Sequence, residues 1–245
     1  MPRPRAKGAQ EVRTLERGLE VLEALAELGE AGLSTLASRT RFHKSTLYRL
    51  LQTLVRHGFV EEEGGFYRVG PKAFAVGQAY PRQNLLLAVR PEMEALAAQT
   101  GESVNLAVLA GREALYLDQA EGSRLVRLFT APGSRAPLHA TGVGKVLLAF
   151  RGVPEGLALT PYTPFTLTRL EDLEGELEAV RRQGYALDNE EKELGVRCVA
   201  APIFGPSGEV VAALSLSAPA SRLSLEEAHR LAPRVVEAAR RASLR

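Results

Sequence analysis

From Ala31 to Val60 the chain carries no aspartate or glutamate, while Arg39, Arg41, Lys44, Arg49 and Arg56 all fall inside that stretch. Within it, Ser34 is placed to cap a short helix running through Thr40, and Arg41-Phe42-His43 interrupts the pattern. Leu47, Leu50, Leu51 and Leu54 then recur at i, i+3, i+4 and i+7, the stripe of a second helix with one face on a core. Two short helices around a tight break form a helix-turn-helix. The opposite face of the second helix carries Lys44, Ser45, Thr46, Tyr48, Arg49 and Gln52, side chains able to reach phosphates and base edges. A solvated amphipathic helix is the bland alternative. Acid exclusion, turn length and polar face together favour a polyanion partner, with the start of the second helix in a DNA major groove.

The flanks extend this unit. Leu15, Leu19, Leu22, Leu25 and Ala26 predict a first helix over Thr14 to Leu28, with Glu16, Glu20, Glu23 and Glu27 turned away from DNA. Downstream, residues 59–62 and 66–69 flank Gly64-Gly65, a pair suited to the positive φ values of a tight hairpin. A hairpin directly after the recognition helix makes an α/β winged helix-turn-helix over residues 11–71. Glu61, Glu62 and Glu63 make the wing acidic, leaving Arg68 as its available base. With Ser34 and Arg41 at the edges of the motif, the expected DNA-contacting set is Ser34, Arg41, Lys44, Ser45, Thr46, Tyr48, Arg49, Gln52 and Arg68.

Residues 72–81 read as a linker helix, and Leu85, Leu86, Val89, Met93, Leu96 and Ala97 continue with helical spacing past Pro91, which permits a new start or a kink. From Glu102 the period becomes two. Strands are expected on either side of Ala110-Gly111-Arg112, a third over Leu125 to Phe129, and two more over Val196–Phe204 and Glu209–Leu216. Helices are expected in the LHATGVGKVLLAF segment, around Leu173, Leu177 and Val180, and after Ser224, whose partner Glu227 stands at capping-box spacing. Residues 82–245 therefore predict an α+β domain around a mostly antiparallel sheet.

Composition sets outer limits. The 245 residues, 45% hydrophobic and 24% charged, carry a net charge of only +2, which hides the local asymmetry. The single cysteine, Cys198, excludes an internal disulfide and a multi-cysteine zinc site. The basic start MPRPRAKG reads as a mobile arm over residues 1–10 without the apolar core of a signal peptide, and no apolar run is long enough to cross a bilayer. The expectation is a cytoplasmic protein with no membrane partner.

The winged motif, the linker helix, LHATGVGKVLLA, RRQGYALDNEEKELGVRCVAAPIF and VVAALSLSAP, in that order and spacing, resemble the IclR family of bacterial transcriptional regulators. The resemblance implies a GAF-like effector domain and a homodimer, often a dimer of dimers, on an approximately palindromic double-stranded operator. It also implies a small-molecule pocket formed by Gly142, Val143, Asp188, Cys198, Ser215 and Ser217. The effector class is a small organic molecule, a carboxylate or aromatic acid, with no cofactor. Val143 stands where the member responsive to small 2-oxo acids has alanine, which reshapes the site. A ligand that binds one arrangement of the dimer better than another suffices to control DNA binding.

Other chemistries fit less well. Gly142-Val143-Gly144-Lys145 fails as a phosphate loop, because His139 stands where a glycine is needed and Val146 where Ser or Thr is needed. His139, Asp188 and Cys198 form the best catalytic candidate, yet Cys198 sits in an apolar strand and no separate oxyanion device is evident. The same residues with Glu190 or Glu191 lack metal-ligand spacing, so neither a catalytic nor a metal site is expected. The acidic run Asp188, Glu190, Glu191, Glu193 reads as a solvated turn. Lys145 is expected to be a structural or pocket-rim cation. The alternative class is a GAF-like ligand-binding protein or enzyme with a vestigial head.

Overall fold

A computed structural model describes residues 12–78 and 83–243. The expected arm over residues 1–10 and the end of the expected linker at Tyr80-Pro81 lie outside the described residues. The chain divides between Gln83 and Asn84 into two compact units.

The first unit contains α1 (Arg13–Leu28), β1 (Glu30–Gly32), α2 (Leu33–Thr40), α3 (Lys44–Arg56), β2 (Val60–Glu63), β3 (Phe66–Val69) and α4 (Pro71–Gly77). Its sheet runs β1-β3-β2, antiparallel throughout. Gly64 and Gly65 both take positive φ, 58° and 83°, as a two-residue hairpin turn requires. Val21, Leu25, Leu36, Leu47, Leu51, Val60 and Tyr67 form the core, and Leu50 and Leu54 pack against its edge. Burying each of the large aliphatic side chains contributes about 1.5–3 kcal/mol relative to exposure.

Three local expectations are corrected. Leu25 is buried as expected, but Leu15 and Leu19 are 63% and 51% exposed, and Val21 and Ala24 join the buried face of α1 in their place. The face was decided by where α2, α3 and β3 contact this helix, and only its second half is covered. Ser34 is not a cap: β1 runs directly into α2, so Gly32 takes the N-cap position and Ser34 lies inside the helix, its carbonyl accepting from Ser38 Oγ at 3.1 Å. β1 itself, too short to show alternation, was not foreseen. Arg41 makes the break between α2 and α3 in the left-handed region, φ 57°.

The second unit contains α5 (Gln83–Thr100), β4 (Ser103–Ala110), β5 (Glu113–Ala120), β6 (Arg135–Pro137), α6 (Gly142–Arg151), α7 (Leu170–Gln183), β7 (Ala186–Asn189), β8 (Val196–Phe204), β9 (Val210–Pro219) and α8 (Leu225–Ala242). Pro91 lies inside the continuous α5. The six strands run β6-β5-β4-β9-β8-β7, each pair antiparallel. The strand period of two assigns the two faces. On β9, Leu214, Leu216 and Ala218 join the core beneath α5 and α8, while Ala213 joins the core beneath α6 and α7. Ser224 Oγ accepts from the Glu227 N–H at 3.1 Å and starts α8 as expected. No helix among the described residues is long and apolar enough to cross a membrane.

The strand expected over Leu125 to Phe129 is absent. The segment between β5 and β6 is irregular, with Leu125 fully exposed, and the third strand of this part is β6. The carbonyls there go to side chains instead of a ladder: Leu128 accepts from Ser103 Oγ at 2.7 Å and Val126 from Arg222 Nη2 at 2.8 Å.

Candidate functional site

The recognition surface of the first unit starts with a helix end. α3 opens after His43 with no side-chain cap and no acid in its first turn, so its leading N–H groups and their partial positive charge are free to meet a phosphate. Lys44, Ser45, Tyr48 and Arg49 are exposed and Thr46 is half-buried, while the buried Leu47 and Leu51 anchor the helix from behind. Lys44, Arg41 and Arg49 form no side-chain ion pair among the described residues. Two expected contacts are engaged elsewhere. Gln52 Nε2 donates to Glu62 Oε2 at 3.1 Å, and Arg68 is gripped by Glu61 at 3.0 Å and Glu63 at 3.2 Å. The wing thus neutralises its own base, whereas Arg41, Lys44 and Arg49 on the preceding turn and α3 remain without an ion-pair partner among the described residues. Arg39 is paired with Glu27 across the α1–α2 junction.

In the second unit, Gly142, Val143, Asp188, Cys198, Ser215 and Ser217 all line one cavity of about 190 Å³. Its floor is a consequence of register. Asp188 on β7 stands opposite Cys198 on β8, Cys198 opposite Ser217 on β9, and Ser217 opposite Ser103 on β4, so one row of polar side chains crosses four strands. The next row places Ser215 beside Asn105, and Asn105 opposite Gln119. Asn105 Nδ2 donates to Ser217 Oγ at 3.1 Å, and Gln119 Nε2 donates to Asn105 Oδ1 at 2.8 Å, which fixes the Ser217 hydroxyl from behind.

The other wall is the start of α6. Thr141 caps it by accepting from the Gly144 N–H at 3.2 Å while donating to the Pro137 carbonyl at 2.8 Å. Gly144 is required there, because a Cβ would sit 2.2 Å from the Leu138 carbonyl oxygen. Residues the sequence reading missed complete the wall: Tyr116, Leu128, Phe129, Thr130 and Lys192. The alternation around Ala110-Gly111-Arg112 held Tyr116's position on a strand, but the tertiary fold alone turns it into the cavity.

Burial dominates the electrostatics. The Asp188 carboxyl is pushed up to about 7, chiefly by desolvation and further by Glu191, against the lowering effect of the backbone N–H groups of Glu191 and Lys192 and of Lys145. Burial also raises the Cys198 thiol and the Tyr116 phenol, with nearby Asp188 acting in the same direction, so both remain protonated near neutrality.

The acidic turn is solvated only in part, with Glu193 exposed. Asp188 and Glu191 are buried, and Glu190 pairs with Arg197 at 2.6 Å. The countercharge for Glu191 is Lys145, whose buried Nζ lies 2.6 Å from Glu191 and 3.2 Å from Glu176. Lys145 is therefore a structural cation clasping α6 to the turn after β7, and the cavity rim does not include it. His139 is buried against Tyr162 and Thr160, its Nε2 3.0 Å from the Thr160 carbonyl, and is not among the cavity-lining residues. The trio His139, Asp188 and Cys198 is thus not assembled, and no three His, Cys, Asp or Glu side chains among the described residues gather as a metal site.

Residues 14–64 match the family profile described as IclR helix-turn-helix domain, and residues 77–244 the one described as Bacterial transcriptional regulator IclR C-terminal. The HTH-type transcriptional regulator BhcR of Paracoccus denitrificans is 39% identical over 256 residues, covering 99% of this chain and 92% of its own length. The transcriptional repressor IclR of Escherichia coli is 36% identical, covering 98% of this chain and 92% of its own. The crystal structure of an IclR homologue from Microbacterium hydrocarbonoxydans, complexed with 4-hydroxybenzoate, superposes with a TM-score of 0.73 at 26% identity, over 92% of this chain and 98% of that one. With both domains matched in order along nearly the whole length, the chain belongs to the IclR family of bacterial transcriptional regulators.

Proposed function

We propose that this regulator responds to a small organic acid held in the 190 Å³ cavity of its second unit, and that α3 reads its operator. The observation that carries the effector reading is the convergence of Gly142, Val143, Asp188, Cys198, Ser215 and Ser217, from four separate segments, on one concave space. The volume is below the roughly 300–1,000 Å³ of pockets for drug-sized ligands and suits a compact acid. A carboxylate there would take hydrogen bonds from the start of α6 and from the Ser215 and Ser217 hydroxyls, and from Asp188 in its protonated form. Phe129 and Val143 supply apolar walls for a ring or alkyl group, and the 4-hydroxybenzoate complex of the homologue supports the aromatic branch of this class. The cavity binds and does not convert its ligand, since a thiol kept protonated by burial is a poor nucleophile.

On the DNA side, Lys44, Ser45, Thr46, Tyr48 and Arg49 make the main contacts, Arg41 adds a phosphate contact, and Gln52, Ser34 and Arg68 have secondary parts. The protein acts as a homodimer, singly or as a dimer of dimers, on an approximately palindromic duplex. A thermal-shift screen of the full chain with 4-hydroxybenzoate and short aliphatic 2-oxo acids tests the effector half. A saturable rise in Tm with at least one acid is expected, and the absence of any response across both series refutes it.

A further inference from the structure

A second cavity, of about 240 Å³, lies on the opposite side of the sheet, between the end of α5, the starts of β4 and α8 and the segment after β5. Its charge is unbalanced: Arg124, Arg222, Arg230 and Arg234 face it against Glu102 and Glu227, an excess of two positive charges. Both carboxylates are already committed. Glu102 is buried and receives Arg222 through both oxygens at 2.7 and 2.8 Å, and Glu227 receives Arg230 at 2.8 Å through both of its own. Arg124 reaches Glu102 through Nε alone at 3.1 Å, leaving its outer nitrogens without a partner among the described residues. Arg234, one helical turn beyond Arg230, has no hydrogen-bond or ion-pair partner among them. Glu237, the nearest further acid along α8, is taken by Arg240 and Arg241. Planar guanidinium groups with free N–H pairs converging on a concave space match the geometry of a tetrahedral oxyanion.

The same segment of chain borders both cavities. Gly122 is pinned against the Gly101–Glu102 backbone, where a Cβ would lie 2.4 Å from the Gly101 oxygen. Two residues on, Arg124 faces the arginine cavity; the Val126 carbonyl is held by Arg222 and the Leu128 carbonyl by Ser103. Leu128, Phe129 and Thr130 then form a wall of the effector cavity. Back to back on β9, Ser217 lines one cavity and Ala218 the other.

We propose that the arginine cavity binds a compact dianion of the phosphate class, and that its occupation orders the 121–134 segment and thereby the wall of the effector cavity. Binding needs only the free nitrogens of Arg124 and Arg234 to close on the ligand while Arg222 keeps its grip on Glu102 and Val126. The anion site stands independently of the effector reading; only its consequence for the effector wall rests on it.

The test is hydrogen–deuterium exchange of the full chain at pH 8 with inorganic phosphate, against sodium chloride at equal ionic strength so that simple screening cancels. Saturable protection of residues 121–134 is expected with phosphate and not with chloride. Arg234→Ala, which removes no hydrogen bond or ion pair among the described residues, is expected to weaken the midpoint about ten- to hundred-fold, the loss of one or two charge-assisted hydrogen bonds. Arg124→Ala is expected to lose the segment's protection even where phosphate still binds. Equal responses to phosphate and chloride, an unchanged midpoint in Arg234→Ala, or protection confined to α3 would each overturn the proposal. None of these outcomes depends on an acid binding the effector cavity, which the thermal-shift screen reads separately.

Discussion

Replacing Asp188 by asparagine isolates the electrostatic cost built into the effector cavity. Burial raises this carboxyl from an ordinary 3.8 to about 7. The folded state therefore holds the proton more tightly than the unfolded chain does. Its contribution to stability is fully present below about pH 4, declines as pH rises from about 4 to about 7, and is gone above that. A gap of about three units corresponds to about 4 kcal/mol at most. Relaxation and water on the cavity side reduce this, so about 2 kcal/mol is the working expectation at pH 8. Asparagine keeps the shape, and its Oδ1 can still accept from the Glu191 and Lys192 N–H groups, now 2.9 and 3.4 Å from Asp188. Calorimetric melting at pH 4 and pH 8 in matched salt should show the variant's second unit melting higher than wild type at pH 8, by about 4–8 °C. Near pH 4 that advantage should vanish. The reasoning fails if the difference between variant and wild type does not change between pH 4 and pH 8, or if the variant is the less stable at pH 8.

The same protonation couples to ligand binding. An acid that accepts from protonated Asp188 should lose affinity toward about tenfold per pH unit above pH 7 in wild type and become pH-independent in Asp188→Asn, measured by titration calorimetry. Ser215→Ala combined with Ser217→Ala should abolish the response to an acid that shifts the wild-type melting point; an unchanged response would place the ligand elsewhere. Arg49→Ala should cost about 1–3 kcal/mol at the operator and flatten discrimination at one base position, by gel shift against operator variants. Equal losses on operator and random duplex would reassign Arg49 to phosphate. Lys145→Met should destabilise the second unit by about 3–5 kcal/mol by stranding the buried Glu191, and adding Glu191→Gln should recover much of it. A Lys145→Met variant of wild-type stability would show that the pair carries no such weight.

Much of this protein was legible in local pattern. The acid-free stretch, the leucine stripe of α3, the Gly64-Gly65 turn, the Thr141-to-Arg151 helix and the Ser224 cap are settled by residues within a few positions of one another, where backbone propensity and capping decide. Family resemblance then identified six cavity residues scattered over 76 positions of sequence, from Gly142 to Ser217. What it did not carry was whatever depends on a distant partner. Glu191 read as a surface acid because its countercharge, Lys145, lies on a distant helix. Arg68 read as a free cation because its carboxylate partners come into line only through the β2–β3 register. Leu125 to Phe129 read as a strand because an apolar run does not reveal that Ser103 and Arg222 will claim its carbonyls.

Near neighbours along the chain were enough to fix the two-domain class and most of the helices and hairpins of both units, because capping, turn chemistry and periodicity are local. Which half of α1 is buried, which acids are sealed from water, that Tyr116 faces the cavity and that one irregular segment borders two cavities emerge only when distant parts of the chain pack together. Each of these is a matter of which long-range surfaces meet, and desolvation and pairing energies are set there, not in the local pattern of side chains.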